Sequence, residues 1–145
     1  MATLAATELA DGSVPVSLVN FGSPRVGDKA YAAWAQMRLN QTTPIRMRRQ
    51  KDIVPAVPPR SVGYVHIGTE VYDKHLDSKG HQTANDTFVV CDGSGEDPHC
   101  GDAEEHPPFP LDLVHMEPAE HTRYLSFQGG DCWCGAAGDA KANCK

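Results

Sequence analysis

Residues 14–34 read VPVSLVNFGSPRVGDKAYAAW, and residues 45–60 read IRMRRQKDIVPAVPPR. The first opens with a short apolar, β-rich run, 14–21, stopped by Gly22. A run of that kind suits a parallel strand buried on both faces. Asp28 is placed to cap a helix reaching about Leu39, with Ala30, Ala33, Trp34 and Met37 at i, i+3, i+4 and i+7 on one face. In the second stretch Ile45 and Met47 alternate with Arg46 and Arg48, the pattern of a half-exposed strand. Upstream, residues 2–10 are Ala-rich and Gly12 follows as a stop, so they form the end of a helix. Helix, strand, helix, strand is the rhythm of an α/β sheet. That first helix has no capping residue ahead of it, so the sequence is expected to open partway into a domain.

Past Lys51 the character changes. Pro55, Pro58 and Pro59 make the next stretch an irregular loop. Shorter strands are expected at Glu70–Tyr72 and Thr87–Val90. Residues 92–119, rich in Gly, Pro and acids, form a long connection of the kind that is functional or disordered. RYLSF follows His121, and residues 128–145 are a Cys- and Gly-rich tail. No internal repeat is present, and 145 residues are enough for one domain, spanning 1–145.

The chain has a net charge of -6, 13 Gly and 11 Pro. It lacks the basic face that a nucleic-acid partner requires. The basic group Arg46, Arg48, Arg49 and Lys51 is expected to be a solvated strand face. No apolar stretch approaches the roughly 20 residues of a transmembrane helix, and the opening residues have no signal-peptide form. Other features favour an oxidising, extracellular compartment. Five cysteines cluster in the last third. Cys91 and Cys100 bracket a loop of turn formers and are expected to form a disulfide. Sequons stand at Asn40-Gln41-Thr42 and Asn85-Asp86-Thr87. Extracellular features without a signal again suggest that sequence is missing ahead of Met1. An odd cysteine count leaves one thiol without a partner in this chain.

Asp52 falls just past the strand at Ile45–Met47, at the end where α/β sheets gather their reactive groups. Asp is also an ordinary turn residue at such a position. The segments ATLAATELADG, LVNFGSPRVGDKAYAAW, RMRRQKDIVPAVPPRSVGYVH, TFVVC and PAEHTRYLSF raise its standing. Together they resemble the fungal lipase family, the class 3 lipases, which includes feruloyl esterases. The resemblance covers about two thirds of the chain and thins across 92–116 and the tail. It implies a partial α/β-hydrolase fold, limited to the C-terminal half of the sheet. It also implies a Ser-Asp-His triad in which Asp52 is the acid and His121 the general base. Val54 and Val57 would border the acyl pocket. No metal or organic cofactor is implied, and the substrate would be an acylglycerol or another ester, met at a lipid–water interface.

Seven histidines are available for the base. His115 is the main rival to His121. His66 suits a packed or capping role, and His75, His81, His99 and His106 suit solvated ones. Neither the His-x3-His nor the Cys-x2-Cys spacing of a zinc site occurs. The nucleophile is absent: no G-x-S-x-G occurs, and Ser23 and Ser94 suit turns. The resemblance places Cys132 as a cysteine tied to an N-terminal partner, leaving Cys134 and Cys144 as a possible second bridge. The expectation is a piece of a secreted serine ester hydrolase, inactive as given. The alternatives are a non-catalytic truncated secreted protein and a small disulfide-stabilised binding protein. The triad assignment also requires Asp52 and His121 to meet within roughly 2.6–3.2 Å at Nδ1.

Overall fold

The computed structural model describes residues 1–76, 82–101, 117–125 and 127–128, with side chains omitted at 75, 76, 82–86, 127 and 128. The elements are α1 (Ala2–Leu9), β1 (Val19–Phe21), β2 (Gly27–Asp28), α2 (Lys29–Arg38), β3 (Ile45–Arg49), β4 (Tyr64–Val65), β5 (Thr69–Leu76), β6 (Gln82–Val90), β7 (Arg123–Tyr124) and β8 (Phe127–Gln128). The main sheet runs β1-β3-β5-β6. β3 is parallel to both its neighbours, with Val19 opposite Ile45 and Ile45 opposite Thr69, and β6 returns antiparallel to β5. The α/β class expected from the sequence is thus borne out. Apart from Gln128, the Cys/Gly-rich tail lies outside the described residues, as do Cys132, Cys134 and Cys144.

One core cluster joins Ala6 and Ala10, Leu18, Ala32, Ala35 and Leu39, and Ile67. Most of these side chains are small, which permits close approach of backbones. Arg38 ties the helices by donating from Nε to Thr7 O at 3.3 Å. Asp28 caps α2 as expected, accepting from Tyr31 N at 2.8 Å.

Three expectations about faces fail. The strand at 14–21 shrinks to three residues at the sheet edge, with Val19 and Phe21 exposed. Among the described residues nothing pairs with its outer side, so its apolar content is not covered. In α2 the buried stripe is Ala32, Ala35 and Leu39, while Ala30, Ala33, Trp34 and Met37 are exposed. The bulky Trp34 sits at the rim instead, 5.7 Å from Tyr31 and under the Arg38 guanidinium at 5.8 Å. In β3 the alternation is right and its sense inverted, since Arg46, Arg48 and Arg49 are buried and not solvated. Acidic partners explain the inversion: Arg46 meets Glu70 at 3.1 Å, and Arg49 meets Asp73 at 3.1 Å and Glu120 at 2.7 Å. Arginine tolerates burial when its planar fork is fully hydrogen-bonded.

The strands β5 and β6 are longer than expected, and beyond β6 the chain folds back over the arginine face. The Cys91–Cys100 disulfide closes this loop with a Cα separation of 6.2 Å. Gly95 O accepts from Arg46 at 2.8 Å, and Gly101 N donates to Glu70 Oε1 at 2.8 Å. Replacing both cysteines by alanine should remove about 3 kcal/mol, from the loop-closure entropy of so short a ring. Urea unfolding of the two proteins checks this. A loss below about 1 kcal/mol would show that the Arg46 and Glu70 bonds hold the loop unaided.

Candidate active site

Asp52 is reached by a tight turn. β3 ends at Arg49, Lys51 adopts φ 64°, and Asp52 N donates to Arg49 O at 3.1 Å. The side chain then serves two neighbours. Oδ1 accepts from Val54 N at 2.9 Å, which starts the 3-10 turn Val54–Ala56. Oδ2 lies 3.1 Å from His121 Nδ1, across 69 positions of sequence. One oxygen of Asp52 thus serves the turn, and the other faces the histidine.

His121 stands in a second 3-10 turn, Pro118–Thr122, which docks on the turn after β3 through Glu117 N to Lys51 O at 2.8 Å. The Asp52 side chain is fully buried, and 38% of the His121 side chain is exposed. A carboxylate can only accept, so Nδ1 carries a proton, which in the neutral ring leaves the lone pair on Nε2. That is the tautomer a general base needs.

A third group, Tyr124, donates from its hydroxyl to Asp52 Oδ2 and accepts from Arg49 N at 3.2 Å. Burial first, then the Asp52 charge, push the Tyr124 pKa far above its ordinary value, so this hydroxyl stays a donor. Its ring meets Phe21 edge-on at 5.7 Å. In the sequence Tyr124 is simply an aromatic three places after His121. Its role as a donor has no local signal, because it depends on how the turn packs.

Gly22 fills the remaining side of the pair. An added Cβ would lie 2.7 Å from both Asp52 Oδ2 and His121 Nδ1, and φ is +59°. Gly22→Ala should lose at least about 1 kcal/mol from the left-handed backbone alone, and more as the pair is pushed apart. Urea denaturation measures it, and an unchanged stability would mean that the pair yields without cost.

Val54 and Val57 lie half-buried on the loop leaving Asp52. Arg25 holds that loop by donating from NH1 to Ala56 O at 2.9 Å and Pro58 O at 3.2 Å, and its backbone N donates to Val57 O at 3.0 Å. The two remaining guanidinium nitrogens donate to Glu96, Nε to Oε1 and NH2 to Oε2, each at 2.8 Å. Arg25 and Glu96 were missed as site-shaping residues, since the sequence offers no sign that the disulfide loop reaches the loop after Asp52.

His66 is packed, as expected, with Nε2 donating to Pro55 O at 2.9 Å. Burial, followed by the charges of Arg46 and Arg25, holds its pKa well below the ordinary histidine value. His99 is exposed. His81, His106 and His115 lie outside the described residues, as does the side chain of His75. Ser23 donates to Pro24 O at 3.1 Å, and Ser94 accepts from Glu96 N at 3.2 Å, both within turns. Glu70, Cys91 and Cys100 bring ligand-type atoms within 4.8 Å of one another. The sulfurs are joined in the disulfide and Glu70 is committed to Arg46 and Gly101, so this cluster offers no metal site.

A mostly parallel sheet that delivers a buried Asp to a half-exposed His has the layout of an α/β hydrolase, and the comparisons agree. The lipase structure from Rhizopus microsporus var. chinensis superposes with a TM-score of 0.69 at 24% identity, covering 90% of this chain and 41% of that one. Rhizomucor miehei triacylglyceride lipase gives 0.66 at 26% identity, covering 88% and 44%. Residues 1–62 match the model of the family described as lipase (class 3). The secreted mono- and diacylglycerol lipase A of Penicillium cyclopium is 38% identical over 73 residues, which are 50% of this chain and 23% of that protein. The chain is thus similar to the fungal class 3 lipases and spans less than half of these relatives' length.

Proposed function

We propose that this chain supplies the acid and the base of a secreted serine ester hydrolase acting on acylglycerols or related esters. The observation that carries this reading is the 3.1 Å approach of His121 Nδ1 to Asp52 Oδ2. In such a site Nε2 of His121 takes the proton of a serine hydroxyl as the oxygen attacks the ester carbonyl. The imidazolium then protonates the leaving alcohol, and water repeats the sequence on the acyl-enzyme. Asp52 fixes the tautomer throughout and offsets the imidazolium charge. Val54 and Val57 border the acyl chain. The mechanism requires no metal or organic cofactor.

The nucleophile and one oxyanion donor belong to a G-x-S-x-G elbow, with the second donor on an earlier loop, and no such elbow occurs in the 145 residues. The chain by itself is therefore inactive. An extracellular location is supported by the disulfide, by the exposed Asn40 of one sequon, and by the Penicillium relative, whose name describes it as secreted. A lipid–water interface is the natural meeting place for an acylglycerol. Among the described residues no helix is long and apolar enough to cross a membrane.

A p-nitrophenyl ester assay, paired with a serine-directed phosphonate probe, tests the assignment. The expected result is no turnover above background and no labelling. Stoichiometric labelling of Ser23 or Ser94 would overturn it. The reading frame ahead of Met1 gives a second test: an in-frame G-x-S-x-G segment supports the hydrolase, and a stop codon there supports a non-catalytic protein.

A further inference from the structure

Asp52 and His121 come from segments 69 positions apart, and a hydrogen bond between them tolerates little error in how those segments dock. Four contacts that set this docking pass through one residue, Arg49. Its carbonyl accepts from Asp52 N at 3.1 Å, closing the turn that aims the acid. Its backbone N donates at 3.2 Å to Tyr124 Oη, which in turn donates to Asp52 Oδ2. Its guanidinium Nε donates at 2.7 Å to Glu120 Oε2, on the residue directly before His121. Its NH1 donates at 3.1 Å to Asp73 Oδ2 on β5, which anchors the guanidinium to the neighbouring strand.

We infer that Arg49 is the positioning residue of the Asp52–His121 pair, its buried ion pair with Glu120 locking the histidine turn against β3. This rests on the reading of Asp52 and His121 given above. The chemistry suits the task. Arg49, Asp73 and Glu120 are all buried. Ion pairs at such sites are poor sources of net stability, because desolvation offsets their attraction. Their directional geometry, however, fixes position, and a planar guanidinium can bind two carboxylates from two elements at defined angles. Glu120 also meets Arg123 NH1, at 3.5 Å, within its own turn. The Arg49 bond is shorter and crosses to the sheet.

Long-range proton–nitrogen spectroscopy of the imidazole rings in the full chain tests this. It reports the tautomer of each histidine, which a general loss of stability in a folded protein would not move. Wild-type His121 should be in the Nδ1–H form. Arg49→Met and Glu120→Gln should both lose it, moving toward the Nε2–H form that free imidazole favours, while amide dispersion stays native. Arg49→Lys, which keeps the charge, should restore part of the Nδ1–H signal. If Arg49→Met does not fold, Glu120→Gln decides alone, since it preserves shape and removes one charge. A folded Glu120→Gln or Arg49→Met protein with the wild-type tautomer would overturn the inference and leave the proposed function standing. An Nε2–H form in the wild type would sink both.

Discussion

Asp52→Asn should lower kcat for ester hydrolysis by about 10⁴-fold in a protein that joins this chain to a segment bearing the G-x-S-x-G elbow. The reasoning starts from donors. Oδ1 of Asp52 accepts from Val54 N, and Oδ2 accepts from both His121 Nδ1 and Tyr124 Oη. An asparagine has one acceptor oxygen for these two positions. If its amide nitrogen takes the Oδ1 place, it faces the Val54 N–H. If it takes the Oδ2 place, it faces two donors. Facing the imidazole, the amide N–H selects the tautomer with its lone pair on Nδ1, which puts the proton on Nε2 where the serine's proton must go. The negative charge opposite the imidazolium is lost in every arrangement. Asp52 is fully buried and does not touch substrate, so KM should hold while kcat falls. His121→Ala should cost more, about 10⁶-fold, and the double variant no more than His121→Ala alone. A fall of less than about tenfold would remove Asp52 from the mechanism.

Much of this site is legible in the sequence. Asp28 capping α2, the parallel order of β1 and β3, and the position of Asp52 follow from local patterns: a capping side chain, apolar runs, and a strand ending in a turn. The Cys91–Cys100 bridge followed from a short span of turn formers. The meeting of Asp52 and His121 had no local signal at all. It came from the resemblance of DIVP and EHTRY to a family in which those segments converge.

The faces were not legible, for a physical reason. Periodicity tells which residues share a side but not which side is covered. In α2 the apolar count favoured Trp34 and Met37, while close packing favoured Ala32 and Ala35. In β3 the arginines were assigned to solvent because the acids that neutralise them lie far away in sequence, at Glu70, Asp73 and Glu120. A buried charge is recognisable only with its partner. The same limit hid Tyr124, whose hydroxyl becomes part of the site only when the turn at 118–122 reaches β3.

Arg25→Met should destabilise the fold by about 3–5 kcal/mol, a large share of the roughly 5–15 kcal/mol available to a domain. The Arg25 side chain is fully buried and that of Glu96 is 12% exposed. Removing the guanidinium leaves Glu96 with the His66 N–H at 2.7 Å and the half-exposed Arg60 at 4.0 Å. It also strips one donor from each of the Ala56 and Pro58 carbonyls. Burial by itself raises the Glu96 pKa. In the native protein the hydrogen bonds and charge of Arg25, with the His66 N–H, outweigh burial and hold it below the ordinary value. A depressed carboxylate contributes stability above the unfolded pKa and loses it as pH falls toward the folded one. Without Arg25 the burial effect dominates and the sign reverses. The deficit of the variant should therefore be greatest near neutral pH and should narrow as pH falls through the carboxylate range. Urea unfolding at neutral and acid pH reads both the size and the direction. Arg25→Met combined with Glu96→Leu removes both charges and should recover much of the loss, because no charge is then left buried alone. A deficit that is small, or that widens toward acid pH, would show that this pair does not hold the disulfide loop against the loop that follows Asp52.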